Sequence, residues 1–262
     1  MPWVLLGLLV GTGILAHTAP FRFLFDWLKP SRSIWRMPPR DPPRVYLTFD
    51  DGPNPTATPA LLDLLHRERA RATFFVIDRH VTDATAPIVR RIVDEGHALA
   101  LHSHTRRLMI MSPARLAETL SLASARLERI TGRPPCSAFR PHAGWRSWTM
   151  LQGVGRRGLR LVGWGWQLWD FDWYRAPRPE RVAERLARRA SNGSIMVLHD
   201  GHHVNPAADR RHTIETVARL IPRLRARGFG FGTICDAEPA AELSAECQIC
   251  SRPGAIPDDT AR

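Results

Sequence analysis

Residues 45–53 read VYLTFDDGP, an apolar run that ends at two adjacent carboxylates, Asp50 and Asp51, and a Gly-Pro turn. A short apolar run bounded by turn residues predicts a buried β-strand. The first strand of a dinucleotide-binding fold is followed by a glycine-rich phosphate loop, but carboxylates occupy that place here. The stretch therefore indicates an α/β protein whose first strand delivers acidic side chains, and it disfavours dinucleotide binding.

Strand and helix patterns alternate along the chain from residue 44 to residue 236. The predicted strands cover residues 45–49, 72–77, 97–101, 137–139, 159–164, 194–198 and 229–234. Amphipathic helical patterns cover residues 58–70, 84–95, 112–131, 178–190 and 211–227. This alternation implies parallel β/α units, so the predicted fold class is α/β. Seven such strands suit either a distorted (β/α)7 barrel or an open doubly wound sheet.

Composition narrows the class of protein further. The chain has 262 residues, of which 44% are hydrophobic and 24% charged, and this excludes a disordered chain, a fibre or a polytopic membrane protein. The net charge of +12 comes from arginines scattered over the predicted helices. Since basic runs interleaved with aromatic residues and nucleic-acid-binding motifs are both lacking, we predict no nucleic-acid partner.

The two ends of the chain differ from the strand–helix region. Residues 1–28 form an apolar segment that we interpret as a membrane-anchor helix or a signal-like segment, and residues 29–43 form a proline-rich linker. Residues 44–236 form the folded domain, and residues 237–262 a loosely structured tail. Basic residues follow the apolar segment, which favours a cytoplasmic domain, but a single span leaves the membrane side open.

The four cysteines are too few for a disulfide framework in a domain of this size. Cys136 and Cys235 adjoin predicted strands, and we interpret them as small core residues. Cys247 and Cys250 form one C-x-x-C pair in the tail, which indicates an incidental pair or a local disulfide more than a zinc knuckle or a redox site.

Ionisable side chains follow five of the predicted strands at their carboxyl ends. They are Asp50 and Asp51, His102 and His104, Arg140, Asp170 and Asp172, and His199 and Asp200. In β/α barrels this edge carries the active site, because loops there project side chains over a rigid cup of strands. Five strand ends of this kind in one chain predict an active site.

The residue types indicate a metal-assisted hydrolase. Of the two adjacent carboxylates, one can bind a metal ion while the other accepts a proton, and His102 offers an imidazole ligand suited to zinc or another borderline divalent ion. His199 is placed to donate a proton to a leaving group. Arg140 and Asp172 are predicted to form a charged pair that fixes the base.

Five motifs in order resemble one known family. They are Thr48-Phe49-Asp50-Asp51-Gly52, Gly96-His97 with His102-Ser103, Phe139-Arg140-Pro141, Trp166 with Asp172-Trp173, and Leu198-His199-Asp200-Gly201. In these residues the sequence is similar to the polysaccharide deacetylases of carbohydrate esterase family four, the homologues of the rhizobial nodulation deacetylase. The resemblance covers about residues 44–236.

The resemblance implies a distorted (β/α)7 barrel that uses a divalent metal, zinc or else cobalt, nickel or manganese, to remove an N-acyl group from an amino sugar. The N-acylated amino sugar, free or in a glycan, is the partner it implies, and the acyl group is expected to be acetyl. Asp50 would be the general base, Asp51 and His102 the metal ligands, and His199 the general acid.

The resemblance also assigns supporting roles. Arg140 would hold the base, and Asp172 would orient Arg140. Leu198 and Trp173 would line the pocket for the acyl group. The oxyanion would be held by the metal and by the backbone N–H that follows Pro141.

Two positions depart from the family pattern. Arg106 occupies the place of a second metal-binding histidine, and a guanidinium is no metal ligand. The metal would then rest on Asp51, His102 and water, or recruit His104. The third motif is also altered, since residues 140–145 read RPHAGW. Two alternatives stay open. Arg106 suggests a catalytically impaired carbohydrate-binding homologue, and the apolar N-terminal segment suggests an enzyme that deacylates or deformylates a lipid-linked sugar.

Overall fold

The computed structural model describes residues 2–17, 33–171 and 178–237. Helix α1 (Pro2–His17) is apolar and precedes the domain. In these three ranges no helix has both the length and the apolar character needed to cross a membrane. Membrane attachment through residues 1–28 stays a prediction, and residues 18–28 of that segment lie outside the described ranges.

One parallel sheet organises the domain. Its strands are β1 (Ser33–Ile34), β2 (Arg44–Asp50), β3 (Ala72–Ile77), β4 (Ala98–His102), β5 (Ala138–Arg140), β6 (Arg160–Val162), β7 (Ile195–His199) and β8 (Gly230–Phe231). Their order is β1-β6-β5-β4-β3-β2-β7, and β8 pairs with the start of β2. Because strands β2 to β6 follow one another in sequence order, the sheet winds like a barrel and not like a doubly wound sheet. The α/β prediction and all seven predicted strands are confirmed.

Six helices connect the strands. They are α2 (Ala57–Arg67), α3 (Ala86–Asp94), α4 (Pro113–Thr131), α5 (Trp148–Arg156), α6 (Pro179–Arg189) and α7 (Arg211–Ala226). The bounds of α4 follow its end signals, since the Ser112 hydroxyl accepts the Arg115 N–H at 3.3 Å and Gly132 ends the helix at a φ of 72°. The sequence patterns predicted each of these helices except α5.

Two apolar clusters lie on the two faces of the sheet. The larger packs one face of the strands against the helices, as with Met196 and Leu198 of β7 beside Leu220 of α7. The smaller fills the inside of the curved sheet and contains Ile195 and Val197 of β7. This alternation along β7 decides which of its side chains can reach the site at its end.

The proline-rich segment is only in part a linker. From Ser33 onward it belongs to the domain, because β1 pairs with β6 and the Met37 N–H donates to the Gly193 carbonyl at 2.9 Å. Trp35 is buried, and its ring lies 4.9 Å from the Arg146 guanidinium. The predicted boundary at residue 44 is therefore corrected to residue 33 or earlier, since a buried tryptophan holds this segment in place.

A short seam closes the sheet between β6 and β7. The Gly165 N–H donates to the Ile195 carbonyl at 3.0 Å, and the Val197 N–H donates to the Leu168 carbonyl at 2.8 Å. Trp169 forms an isolated parallel bridge with Val197. Residues 165–170 thus cover the outer edge of β7 without forming a regular strand, and we call them the seam.

A disulfide joins Cys136 and Cys235, whose Cα atoms are 6.0 Å apart. The prediction of two unpaired core cysteines is wrong, because the turn after β8 returns to the start of β5. That turn is fixed by the Ile234 N–H, which donates to the Thr73 hydroxyl at 2.9 Å. Cys247 and Cys250 lie outside the described residues, as does the tail from residue 238.

Candidate active site

The carboxyl ends of the strands bring the ionisable residues to one edge of the sheet. Asp50 at the end of β2 and His199 at the end of β7 are register partners, and so are His102 of β4 and Arg140 of β5. Neighbouring strands lie about 4.8 Å apart, so partners at a shared edge can act on one substrate group. The sequence prediction of a common site at these strand ends agrees with this geometry.

Arg140 holds Asp50 inside the sheet. Its side chain is fully buried, and Nη1 donates to Asp50 Oδ1 at 2.7 Å and to the Thr48 hydroxyl at 2.6 Å. The remaining donors reach the carbonyls of Val162 and Gly163 at 3.2 and 3.1 Å. A buried guanidinium needs such a complete set of partners, and the result is an ionised carboxylate fixed in orientation.

His199 is held by Asp170, a residue for which the sequence assigned no role. His199 Nδ1 lies 2.7 Å from Asp170 Oδ1, and the His199 backbone N–H donates to Oδ2 at 2.7 Å. Burial by itself would lower the pKa of His199, but the Asp170 carboxylate more than offsets this and raises that pKa to about 9. The imidazole is therefore a protonated acid at neutral pH.

Asp172 and Trp173 lie outside the described residues, so their predicted roles stay predictions. Within the described part of the chain, Asp50 is the carboxylate that pairs with Arg140. Asp170 and Asp172 stand two positions apart in the sequence, and this spacing alone did not identify Asp170 as the partner of His199.

Asp51, His102 and His142 form a candidate metal centre. One ligand atom from each lies within 4.8 Å of the other two. His102 Nδ1 contacts the Arg140 carbonyl at 2.8 Å, which leaves Nε2 directed at Asp51 Oδ1, 3.3 Å away. Asp51 Oδ1 is buried and has no hydrogen-bond partner among the described residues. An unpartnered buried carboxylate oxygen facing two imidazoles fits a bound divalent cation.

The surroundings of the candidate metal centre favour the protonation states in which Asp51 and His142 can bind a metal ion. Burial acts to raise the pKa of Asp51, but the neighbouring His102, with smaller effects of His199 and His142, lowers it well below its usual range. Burial, followed by the nearby His102, lowers the pKa of His142 to about 4. At neutral pH the centre therefore offers an ionised carboxylate and a neutral imidazole.

His142, like Asp170, is a site residue whose role sequence reasoning missed. The alternative considered for a third ligand, His104, is not part of the cluster found among the described residues. Arg106 is exposed, and its guanidinium lies 4.9 Å from the ring centroid of Trp145. The available signal was the altered third motif, where a histidine follows Pro141.

The predicted oxyanion donor is already engaged. The N–H that follows Pro141 belongs to His142, and it donates to the Ser103 hydroxyl at 2.7 Å. The prediction that this N–H receives the oxyanion is therefore corrected for this conformation, since a donor with a partner at that distance is not free for a second acceptor.

Leu198 does not line the site. It is fully buried in the cluster between sheet and helices, on the face of β7 opposite His199. Its predicted contact with the acyl group is corrected, because alternate residues of a strand point to opposite faces. The residue that shares the face of His199 is Val197.

Aromatic side chains extend from the acid to solvent. The Phe171 ring lies edge-on to His199 with centroids 5.8 Å apart, and Trp169 stacks on Phe171 at 5.6 Å. Trp166 meets Trp169 edge-on at 5.5 Å and is 53% exposed. These three residues, Trp166, Trp169 and Phe171, form the aromatic wall of the site.

Two glycines let the first and last motifs touch. A Cβ on Gly52 would lie 2.4 Å from Asp200 Oδ2, and a Cβ on Gly201 would lie 2.0 Å from the Asp51 carbonyl oxygen. Asp200 also accepts a short hydrogen bond from the Thr58 hydroxyl, and burial raises its pKa to about 7. Only glycine permits this approach, which fixes Asp51 relative to His199.

The fold and site together define a β/α barrel with two ion pairs and a candidate metal centre at the carboxyl ends of its strands. The profile of the polysaccharide deacetylase family matches residues 38–162. A chitooligosaccharide deacetylase of Azorhizobium caulinodans is 35% identical over 193 residues, which cover 71% of this chain and 90% of that protein. The chain belongs to the polysaccharide deacetylases of carbohydrate esterase family four, which are hydrolases acting on amide bonds.

Two further relatives extend the comparison. A peptidoglycan-N-acetylglucosamine deacetylase of Bacillus cereus is 29% identical over 209 residues, covering 80% of this chain and 94% of that protein. A family 4 acetyl xylan esterase from Clostridium thermocellum, solved in complex with a cobalt ion, superposes with a TM-score of 0.65 at 32% identity. The superposition covers 74% of this chain and 89% of the esterase.

Proposed function

We propose that this protein hydrolyses the N-acetyl group of N-acetylglucosamine units in a glycan, with the help of a divalent metal ion. The observation that carries the proposal is the pairing of Asp50 with Arg140 and of His199 with Asp170 on adjacent strand ends. Amide hydrolysis needs one group that takes a proton from water and one that gives a proton to the amine.

Asp50 is the base in this proposal. The Arg140 guanidinium cannot give up its proton under ordinary conditions, so Asp50 stays a carboxylate and accepts a proton from the attacking water. The Thr48 hydroxyl and two backbone carbonyls hold Arg140 from its other sides. The base therefore keeps one orientation through the reaction.

His199 is the acid. Its Nδ1 is engaged by Asp170, so the proton on Nε2 is the one available to the leaving nitrogen of the amino sugar. Hydrolysis then gives acetic acid and a free amine. One proton of the water is on Asp50, the other is on the acetic acid, which ionises to acetate in solution, and the His199 proton is on the amine. This division of roles parallels that of other acid–base hydrolases with paired groups.

Asp51 and His102 would hold the metal ion, as the family resemblance implies. When bound, a divalent ion there would polarise the acetyl carbonyl and lower the pKa of a bound water. The unpartnered buried oxygen of Asp51 and the carbonyl-bound Nδ1 of His102 support this assignment, because the contact with the Arg140 carbonyl leaves Nε2 as the ligand atom.

A sugar polymer is the substrate class that the aromatic wall favours. Trp166 is half exposed at the solvent end of the aromatic wall, and amphipathic aromatic rings of this kind suit contact with the apolar face of a sugar. The relatives from Azorhizobium and Bacillus cereus are named for chitooligosaccharide and for peptidoglycan N-acetylglucosamine. Chitooligosaccharides are built from N-acetylglucosamine, so both substrates contain this sugar, and we propose it as the reacting unit.

The test is acetate release from defined substrates. Purified protein is incubated with chitotetraose, with peptidoglycan and with a lipid-linked N-acetylglucosamine, each with zinc, with cobalt or with a chelator. We expect acetate and an equal amount of free amine from one of the glycans, and loss of both in chelator. The Asp50→Asn and His199→Ala variants are the matched inactive controls.

A carbohydrate-binding homologue without catalysis is the second candidate, favoured by the arginine at position 106. That candidate predicts that chitotetraose binds in a calorimetric titration while no acetate is released from any substrate with metal present. Such a result would replace the proposed hydrolase with a binding protein. Release confined to the lipid-linked sugar would replace the glycan with a membrane substrate.

We also propose that the domain works in an oxidising compartment, which the Cys136–Cys235 disulfide supports because such bonds rarely persist in the cytosol. A bridge closing a loop of about 100 residues stabilises by roughly 4–5 kcal/mol in the chain-entropy description. The full chain, isolated with free thiols blocked at lysis, should show these two cysteines unblocked until a reductant is added. Blocked Cys136 and Cys235 would contradict the proposal.

Membrane attachment through residues 1–28 is a separate proposal. Its support is α1, where Trp3, Leu5 and Leu9 are exposed and charged residues are absent. The full chain should float with lipid vesicles, and a chain that begins at Ser33 should not, while both retain activity on chitotetraose. Equal flotation of the two chains, or none in either, would exclude this segment as the anchor.

A further inference from the structure

We propose that His142 is the third protein ligand of the divalent ion, supplied by the loop after β5 in place of the second-motif histidine that this chain lacks. The inference rests on the proposed function only in taking a divalent ion as the cofactor of the site. This ligand set differs from the two predicted from the sequence, in which the ion was bound by Asp51, His102 and water or also by His104.

The ligand atoms of Asp51, His102 and His142 lie close enough together to bind one ion. Atoms from Asp51, His102 and His142 lie within 4.8 Å of one another. Ligands 2.0–2.2 Å from one zinc ion would be roughly 3.5 Å apart, so a small contraction closes the set. One carboxylate and two imidazoles, with a further position open to water, make up a known type of catalytic zinc site.

The backbone around His142 aims its side chain. Its N–H is held by the Ser103 hydroxyl, and the Trp145 N–H donates to its carbonyl at 3.1 Å. The next residue, Ala143, has a φ of 52°, a left-handed conformation that costs a non-glycine residue about 1 kcal/mol or more. Strain beside a candidate ligand indicates that the position of the side chain matters here.

Neighbouring rings fix the imidazole from two sides. The His142 ring lies 6.5 Å from the His102 ring and 4.6 Å from the His203 ring, measured between centroids. Arg79 donates to the His203 carbonyl, which ties that residue to the rim. His142 is therefore placed between a fixed support and the proposed ion, as a preorganised ligand should be.

Arg106 contacts the loop that carries His142. Its guanidinium stacks over Trp145, whose backbone N–H contacts His142. The residue that occupies the place of the missing histidine thus packs on the loop that carries His142. Loss of a ligand from the second motif and gain of one in the third are consistent with a single exchange.

X-ray absorption of the zinc-loaded full chain is the direct test. We expect two imidazole ligands in the parent and one in His142→Phe, which keeps a ring at this position. Zinc affinity measured by titration should fall by at least about 100-fold, since loss of an outer-shell partner alone costs roughly 10–100-fold. The matched control His104→Ala removes a nearby imidazole outside the cluster and should change neither result.

A second comparison does not depend on the folding of the His142 variant. Arg106→His and Arg106→Gln both remove the positive charge, but only the first adds an imidazole. If His142 already completes the site, the two variants bind zinc equally. Tighter binding by Arg106→His than by Arg106→Gln would show an incomplete site and overturn the inference, as would one imidazole in the parent or no zinc binding at all.

These outcomes are separate from those that test the proposed function. A parent with two imidazoles that releases no acetate from any substrate would leave His142 as a ligand and overturn the hydrolase. A parent that releases acetate but keeps its zinc spectrum and affinity in His142→Phe would overturn the inference and leave the hydrolase in place.

Discussion

The two buried ion pairs on β2 and β7 have the same separation but different chemistry. Both join a carboxylate to a cation at 2.7 Å, Asp50 to Arg140 and Asp170 to His199. In the first pair the cation keeps its proton, so the group offered to a substrate is the carboxylate. In the second pair the cation can release its proton, so the group offered is the imidazolium.

The cations of the two pairs also differ in how deeply they are buried. The Arg140 side chain is fully buried, whereas 21% of the His199 side chain is exposed. The guanidinium is thus a fixed support inside the sheet, and the imidazole is a reactant at its edge. The identity of the cation, more than the geometry of the pair, decides which partner performs chemistry.

Replacement of the base should give the largest effect, because it removes the reactive group of the first pair and the charge partner of Arg140. We expect Asp50→Asn to lower turnover by roughly 10²–10⁴. It should also lower the free energy of unfolding, by up to about 3–5 kcal/mol, because a buried guanidinium loses its counter-charge. Acetate release and thermal unfolding measure the two effects, and a normal rate would remove Asp50 from the mechanism.

Replacement of the acid should affect the rate more than the stability. We expect His199→Ala to lower turnover by roughly 10²–10⁴ as well. It leaves the buried Asp170 carboxylate without its imidazolium, but the melting temperature should fall less than in Asp50→Asn, because Asp170 keeps the backbone N–H of residue 199 and the Thr213 hydroxyl as donors. If both variants lost stability equally, the contrast between a buried support and an exposed reactant would be wrong.

Asp170→Asn should change the pH dependence more than the maximal rate. His199 must be protonated to act, so turnover falls as pH rises through its pKa, which Asp170 raises to about 9. Without that carboxylate the pKa falls, and the alkaline limb of the profile should move from near pH 9 toward the ordinary value of 6.5. The acidic limb should stay in place, and an alkaline limb that does not move would contradict the role of Asp170.

Thr48→Val should give the smallest effect. It removes a neutral hydroxyl that accepts from Arg140 at 2.6 Å and donates to the Met196 carbonyl at 2.7 Å. We expect a loss of about 1–3 kcal/mol in unfolding free energy, because buried partners stay unsatisfied. Turnover should fall by less than about tenfold, since Asp50 still holds the guanidinium. Thr216→Val on α7 is the control, a buried hydroxyl remote from Arg140.

Sequence patterns predicted the sheet well because its strands are largely apolar runs, and four of them, β2, β4, β5 and β7, end at an ionisable residue. The exceptions have physical reasons. β1 has two residues and so lacks a period, and α5 contains Gly153 and Gly155, which lower helix propensity. Gly153 is needed there, since a Cβ would lie 2.9 Å from Leu116 of α4.

The site was predictable where the side chain ends a strand and was missed where a loop carries it. Asp50, His102, Arg140 and His199 are terminal strand residues, so their common edge follows from the topology. His142 depends on the left-handed turn at Ala143, and Asp170 depends on the path of the seam. Leu198 is a different case, because strand alternation from His199 already places it on the opposite face.

The seam between β6 and β7 couples local unfolding to acid catalysis. Its few backbone hydrogen bonds cover the edge of β7, which protects that edge from pairing with other chains. The same residues end at Asp170, whose N–H donates to the Val197 carbonyl at 3.2 Å. A brief opening of the seam would carry Asp170 away from His199 while the ladders of β2, β3 and β4 stay intact. Amide protons of residues 165–170 should therefore exchange with solvent before those of β3, at a rate that also sets how often the acid is lost.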